Sequence, residues 1–363
     1  MEHLRDAPLS PRCRRRNEAS RFAVLTAIGL LGGCAMAPPV DFTIEVPPGV
    51  TDVRGRFGEI FCTVLQQHGP SLPDYRPCDE ALSHIAASPP GPARPVDLGQ
   101  SQRRLVAGVV PGIGYGCVAD WLTTGPVARD HVRQFGYDVR MIEVGALSGT
   151  AVNARMIRDA VVAMPEESGP PRLVLIGYSK GTPDILDAIV SYPEIRPRIA
   201  AVVSIAGAVG GSKVAEDASE QLADMMRFFP GAHCDKGDDQ AVASLRPGVR
   251  KQWMVEHPLP SEMRYYSVVT LPDEARISRV LKPTYWQLRK IDPRNDSQLF
   301  YDDQIIPNSS LLGFVNADHW AVVPPIKRAH SIIGSLFVNH NDYPREALLE
   351  AILRFVEEDL TGQ

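Results

Sequence analysis

The chain has 363 residues, of which 44% are hydrophobic and 22% are charged, and its net charge at pH 7 is -5. This length allows one large α/β domain with insertions or two small domains, and the composition is that of a globular protein. The mild negative charge lacks the basic stripe typical of nucleic-acid-binding proteins, so no nucleic-acid partner is expected.

The first 33 residues have the pattern of a signal peptide. An arginine-rich segment precedes a short apolar run over residues 22–31, which is too short to span a bilayer. The run ends in Leu-Gly-Gly-Cys at residues 31–34, which resembles a bacterial lipobox. The resemblance implies that Cys34 is lipidated and becomes the mature N-terminus. Ala35 follows it where an aspartate would resemble an inner-membrane retention signal, so the resemblance favours an outer-membrane location. The alternative is an ordinary secretory signal cleaved after Ala35 or Ala37.

These features predict the organisation of the chain. Residues 1–33 are the signal peptide, 34–53 a Pro-rich tether, 54–100 an N-terminal helical extension and 101–363 the main domain. The expected location is that of an exported bacterial protein, an outer-membrane lipoprotein facing the periplasm or the cell surface, which meets the membrane through its N-terminal lipid anchor.

Four cysteines lie beyond the lipobox: Cys62, Cys78, Cys117 and Cys234. An even number in an exported protein indicates disulfides, and four cysteines allow three pairings. We favour Cys62 with Cys78, which closes a short loop, and then Cys117 with Cys234. The spacings fit no zinc pattern, so no metal site is predicted.

The N-terminal extension is predicted to hold two short helices. Residues 54–67 are apolar at helical spacing, at Phe57, Ile60, Phe61, Val64 and Leu65. A second helix is predicted over residues 79–86, and the Cys62–Cys78 bridge would join the two. We expect no catalytic residue in this extension.

The main domain alternates short apolar runs with helical patterns. Strands are predicted over residues 104–110, 137–144, 172–176, 199–205, 264–271 and 311–316, and helices over 119–135, 150–164, 182–191, 283–291 and 344–360. Such alternation is typical of βαβ units, and continuous apolar runs are typical of parallel strands buried on both faces. The predicted fold class is α/β, with a mainly parallel, doubly wound sheet.

The alternation stops between about residues 212 and 261. This insertion contains a Met- and Phe-rich helical run over residues 220–229 but no convincing core strand. We interpret the insertion as a helical lid over the carboxyl ends of the strands. The apolar run is then the packing face of the lid or an acyl-binding surface.

The strand at residues 173–176 runs directly into Gly177-Tyr178-Ser179-Lys180-Gly181, and a helical pattern follows. This Gly-x-Ser-x-Gly motif between strand and helix predicts a sharp, strained turn that exposes Ser179 as a nucleophile. The glycines permit the close approach of strand and helix that such a turn requires.

A serine hydroxyl needs a neighbouring base to act as a nucleophile. His319 is the candidate base, because it follows the last predicted strand, in a loop at the carboxyl edge of the sheet. The rivals are His257, which lies in the insertion, and His330 and His340, which come later.

The acid that orients the base is expected between the serine and the histidine in the chain. Asp303, at the head of an Asp-x-x-x-Pro segment, is our choice, with Asp302 as its close competitor. Asp296 and Asp318 are weaker candidates. Asp318 is adjacent to His319, and neighbouring side chains in an extended segment point apart.

The oxyanion formed on a carbonyl needs two preorganised donors. The backbone N–H of Lys180 is one candidate. The N–H of Ile113, in the turn after the first core strand, is the other, with Gly114 as its alternative. We expect the Lys180 side chain to be a solvated charge.

Together these segments resemble those of α/β-hydrolases, especially bacterial lipases and esterases. The resemblance covers roughly residues 105–360 and rests on Val110-Pro111-Gly112-Ile113-Gly114, the Ser179 motif, Asp303-Gln304-Ile305-Ile306-Pro307 and Asp318-His319-Trp320. Pro111 and Lys180 depart from the residues common in the family.

The resemblance implies a serine hydrolase that cleaves small-molecule or lipid carboxylic esters through a Ser179-His319-Asp303 triad and an acyl-enzyme. It implies no cofactor. An acyltransferase, thioesterase or amidase could use the same triad, and a catalytically inactive hydrolase fold could serve as a binding protein. The sequence indicates no oligomeric state.

Overall fold

The computed structural model of the protein describes residues 44–85, 88–120, 122, 127–165, 169–217, 235 and 237–362. The predicted signal peptide, Cys34, the helical run 220–229 and Cys234 lie outside these residues. Within the described parts, no helix is long and apolar enough to cross a membrane.

The centre of the molecule is a seven-stranded sheet. Its strands are β1 (Thr51–Asp52), β2 (Val106–Val110), β3 (Asp138–Met141), β4 (Leu173–Tyr178), β5 (Ile199–Ile205), β6 (Tyr265–Thr270) and β7 (Ser310–Val315). They lie in the order β1-β7-β6-β5-β4-β2-β3, and all neighbours are parallel. The carboxyl ends of β4, β6 and β7 therefore meet at one edge of the sheet. The predicted parallel α/β architecture is confirmed.

Helices cover both faces of the sheet. Those described are α1 (Arg54–Gln67), α2 (Cys78–Ala81), α3 (Tyr115–Val118), α4 (Val127–Arg133), α5 (Thr150–Ala163), α6 (Gly181–Ser191), α7 (Lys213–Asp217), α8 (Pro247–Glu256), α9 (Lys282–Arg289), α10 (Ile326–Ala329), α11 (Ser331–Phe337) and α12 (Arg345–Thr361). One hydrophobic cluster joins α1 and α12 to the sheet, and a second joins α5 and α6 to its other face. This division follows the alternation of side chains across each strand.

The N-terminal segment contributes more to the core than its sequence indicates. Phe57 and Phe61 of α1 are fully buried, and the Phe57 ring lies 6.2 Å from the Phe355 ring of α12. The strand β1 was expected to be part of the tether, yet Thr51 N donates to Ser309 O at 2.9 Å. Both residues of β1 are exposed, so the segment has no apolar run that would reveal a strand.

The predicted disulfide between Cys62 and Cys78 is present. It joins α1 to α2, which is shorter than the helix predicted over residues 79–86. Cys117 is also disulfide-bonded. Its predicted partner, Cys234, lies outside the described residues, so that pairing stays a prediction.

Candidate active site

Ser179 occupies the sharp turn between β4 and α6. Its φ angle is +52°, in the left-handed region that non-glycine residues seldom adopt. A Cβ on Gly177 would lie 2.5 Å from Thr182 Cα, and one on Gly181 would clash with the carbonyl oxygen of Val110. Both glycines are therefore required by the close approach of the helix to the strands, and the strained turn predicted from the sequence is confirmed.

His319 reaches the serine from the loop after β7. Its Nε2 atom lies 2.9 Å from Ser179 Oγ. The histidine backbone is fixed on both sides, because Tyr178 Oη donates to His319 O at 2.8 Å and His319 N donates to Asp296 O at 3.0 Å. The choice of His319 over the other histidines as the serine's neighbour therefore agrees with the structure.

The carboxylate that meets this histidine belongs to Asp296. Its Oδ2 atom lies 2.7 Å from His319 Nδ1 and accepts a hydrogen bond from Thr270 Oγ1 at 2.5 Å. Its Oδ1 atom accepts from the backbone N–H groups of Gln298, at 2.9 Å, and Leu299, at 2.8 Å. Asp296 is fully buried. Three donors besides the imidazole therefore hold the Asp296 carboxylate against the ring.

Our expectation for Asp303 is corrected by this geometry. Asp303 lies in a 3-10 turn over residues 302–304, where its N–H donates to Asp302 Oδ1 and its carbonyl accepts from Gly210. Burial and the neighbouring Asp302 raise the pKa of the Asp303 carboxyl to about 6. Asp302 is exposed, so neither residue of this pair takes the position beside the histidine.

Asp318 serves the histidine loop in another way. Its carboxylate accepts hydrogen bonds from the backbone N–H groups of Ser278, Trp320 and Ala321. Burial raises the pKa of Asp318 above its ordinary value. This side chain thus fixes the turn around His319 without contacting the imidazole, in agreement with the expectation that adjacent side chains diverge.

Sequence reasoning underrated Asp296 because the contacts that place its carboxylate, with Thr270 and His319, join residues far apart in the chain. Thr270, the last residue of β6, is 26 positions before Asp296. The only local signal is the turn-forming run Asn295-Asp296-Ser297, in which Ser297 has a φ of +83°. An aspartate that caps its own turn leaves one oxygen free for a distant partner.

The two predicted oxyanion donors border the serine. A Cβ on Gly112 would lie 3.0 Å from Ser179 Cβ, so the turn after β2 packs directly on Ser179. Gly114 N donates to Ala146 O at 2.9 Å and is therefore occupied. Among the described residues, the N–H groups of Ile113 and Lys180 have no acceptor. The geometry thus favours Ile113 over its alternative.

The Lys180 side chain differs from the expected solvated charge. The side chain is 2% exposed, and its Nζ atom lies 2.7 Å from Asp184 Oδ1, one helical turn along α6. Asn153 of α5 donates to the other oxygen of Asp184 at 2.7 Å. Burial raises the pKa of Asp184, and the Lys180 ammonium opposes that rise. The ion pair anchors Lys180, the residue directly after Ser179.

The solved structure of the metagenomic carboxyl esterase MGS0156 is similar to the chain over nearly its whole length. The two are 38% identical, the match covers 89% of this chain and 97% of the other, and the TM-score is 0.79. The chain belongs to this carboxyl esterase family. The α/β-hydrolase fold expected from the sequence is thereby confirmed.

Two more distant structures share the fold of this esterase family. The Staphylococcus hyicus lipase is 11% identical, with 74% of this chain and 99% of the lipase covered and a TM-score of 0.52. EstA from Clostridium botulinum is also 11% identical, with 86% of this chain and 99% of EstA covered and a TM-score of 0.51. No protein-family model and no curated protein sequence matches the chain.

Apolar side chains line the serine side of the esterase fold. Ala208, whose N–H donates to Ser179 O at 3.0 Å, belongs to a cluster with Ile113 and Leu299. Val242 and Leu245 join this cluster from the insertion after β5. The described part of the predicted lid therefore packs beside both Ile113, in the turn after β2, and Leu299, in the Asp296 loop.

Proposed function

We propose that the protein is a serine carboxylesterase that uses Ser179, His319 and Asp296. The observation that carries the proposal is the unbroken contact from Ser179 Oγ to His319 Nε2 at 2.9 Å and from His319 Nδ1 to Asp296 Oδ2 at 2.7 Å. The relationship to a carboxyl esterase supports an ester as the substrate.

In the proposed reaction, Ser179 Oγ attacks the ester carbonyl while His319 Nε2 accepts the hydroxyl proton. Asp296 stabilises the imidazolium that forms. The N–H groups of Lys180 and Ile113 donate to the oxyanion, and the positive end of the α6 dipole adds to their effect. His319 then protonates the leaving alcohol, and water hydrolyses the acyl-enzyme by the same steps in reverse.

The test is hydrolysis of short- and long-chain p-nitrophenyl esters by Ser179→Ala. We expect kcat to fall by at least about 10⁴-fold, because the variant lacks the hydroxyl that attacks the ester. Ser191→Ala, at the exposed end of the same helix, is the matched control and should retain full activity. Full activity of Ser179→Ala would overturn the proposal, and the ratio between the two esters would report the preferred acyl length.

We also propose that the protein is exported and anchored to the outer membrane through lipidated Cys34. The Cys62–Cys78 disulfide supports an oxidising compartment outside the cytoplasm. Expression of the full chain and of Cys34→Ser tests the anchor. The full chain should partition with membranes and carry the mass of a lipid, whereas Cys34→Ser should do neither. A full chain without lipid would contradict the proposal.

A further inference from the structure

A cluster of two imidazoles and one carboxylate lies away from the triad, where three helices meet. His68 directly follows α1, His131 lies in α4 and Glu350 lies in α12. His131 Nε2 is 2.7 Å from Glu350 Oε2, and His68 Nδ1 is 3.0 Å from the same oxygen. The three potential ligand atoms all lie within 4.8 Å of one another.

We propose that His68, His131 and Glu350 bind a divalent transition-metal ion of the zinc type. Two imidazole nitrogens and one carboxylate oxygen are a ligand set that such ions accept, with water as the fourth ligand. Ligand atoms at about 2.1 Å from a tetrahedral ion are roughly 3.4 Å apart, so small side-chain movements suffice to close the cluster on the ion.

The surroundings hold two of these ligands in position. Arg354 Nε lies 2.6 Å from Glu350 Oε1, which leaves Oε2 for the imidazoles. The same guanidinium donates to the backbone carbonyls of Asp97, Leu98 and Gly99, so it cannot turn away. A carboxylate held through one oxygen presents the other in a fixed direction, as the outer partners of metal ligands do.

His131 has a partner for its second ring nitrogen. Its Nδ1 atom lies 3.0 Å from the side-chain amide of Gln134. When Nε2 ligates an ion, Nδ1 carries the proton and must donate. Gln134 then presents its amide oxygen, because either end of an amide can face the ring. Gln134 is thus placed to set the tautomer of His131 that ligation requires.

Burial and access differ across the cluster. The Glu350 side chain is fully buried and that of His131 is 4% exposed, whereas that of His68 is 22% exposed. An ion and its water would therefore approach from the His68 side. The ligands are separated by 219 and 282 positions from Glu350, so no sequence motif for metal binding could reveal them.

Bound metal would join α1, α4 and α12, and an ion that binds only the folded chain raises its stability. The test is titration of Zn²⁺ into chelator-treated, dialysed protein, followed by calorimetry, with the melting temperature measured in parallel. We expect one Zn²⁺ per chain and a rise in melting temperature. Substitution of Co²⁺ should give the absorption spectrum of a tetrahedral site.

The variants separate a metal site from a hydrogen-bonded cluster. His68→Ala, at the partly exposed ligand, should weaken Zn²⁺ binding by at least about 100-fold. Gln134→Ala, at the exposed residue directly after α4, should weaken it by about 10- to 100-fold. His257→Ala, outside the cluster, should bind as the unmodified protein does. No Zn²⁺ binding by the unmodified protein, or equal affinity in His68→Ala, would overturn the proposal.

Discussion

At the scale of single residues, the two aspartates Asp296 and Asp303 differ in what holds them. The Asp296 carboxylate accepts four hydrogen bonds, including the one from His319. Asp303 has a half-buried side chain beside the like charge of Asp302, and the pKa of its carboxyl rises to about 6. The Asp296 carboxylate is therefore surrounded by donors next to the imidazole, whereas the Asp303 carboxyl is disfavoured as an anion.

The first prediction compares these aspartates by matched substitution. Asp296→Asn should lower kcat/KM for an ester by about 10⁴-fold, because an amide cannot stabilise the imidazolium of His319 and favours the wrong tautomer. The kcat/KM of Asp303→Asn should stay close to that of the unmodified enzyme. Melting temperatures of both variants control for misfolding. Equal losses in the two variants, or a loss confined to Asp303→Asn, would contradict the assignment of the acid.

The second prediction concerns the pH dependence of stability. The folded pKa of Asp303, about 6, exceeds the value of 3.8 for an unperturbed aspartate, so between these pH values the folded chain binds more protons than the unfolded one. This contribution to stability is present below about pH 4 and is lost as pH rises through about 6. The free energy of unfolding, measured by urea denaturation across that pH range, should decline less with rising pH in Asp303→Asn than in the unmodified protein. The same decline in both proteins would contradict this prediction.

At the scale of elements, the strand–turn–helix unit of β4 and α6 could be predicted in full from the sequence. Two glycines, a serine between them and apolar runs on both sides permit few other arrangements. The buried ion pair of Lys180 and Asp184 could not be predicted from the sequence. Burial of the lysine depends on α5, which packs on α6 and supplies Asn153. Its i,i+4 spacing alone also fits an exposed pair.

A third prediction tests this pair. Lys180→Met should lower the free energy of unfolding by ~3–5 kcal/mol, because it leaves the buried carboxylate of Asp184 without its cation. The double variant Lys180→Met, Asp184→Leu should recover much of the loss, since no unpaired charge remains. Chemical denaturation measures both. A single variant as stable as the unmodified protein would show that Lys180 does not support the turn.

The loop between β6 and β7 marks the limit of prediction from sequence. The strands and His319 follow from apolar runs and from the order of the motifs. The acid does not follow from the sequence, because four aspartates are candidates for it and only the path of the loop selects one. The candidates are Asp296, Asp302, Asp303 and Asp318. Thr270 and the turn at Ser297 bring Asp296 to the histidine, through contacts between residues far apart in the chain.

At the scale of the whole molecule, α1 belongs to the same hydrophobic cluster as α12 and the sheet. Phe57 lies against Phe355 across almost the full length of the chain. The helix itself could be predicted from its spacing, but its partner could not, because periodicity shows which face is buried and not what covers it.

The fourth prediction follows from this packing. Phe57→Ala should reduce the free energy of unfolding by ~3–5 kcal/mol, as a cavity in a main core does. Gln66→Ala, on the exposed side of the same helix, should change it by less than about 0.5 kcal/mol. Denaturant unfolding followed by circular dichroism measures both. If the N-terminal extension folded independently, Phe57→Ala would instead produce a separate early unfolding transition in the circular dichroism signal. The main transition would then stay unchanged, and that result would contradict the prediction.

The account depends most on Ser179 as the activated nucleophile. The most direct measurement is intact-mass and peptide mass spectrometry after reaction with a fluorophosphonate probe. We predict one adduct per chain, located on Ser179, absent from folded Ser179→Ala and strongly slowed in Asp296→Asn. A folded, unmodified protein that takes up no probe, or that carries the adduct on another residue, would contradict the account.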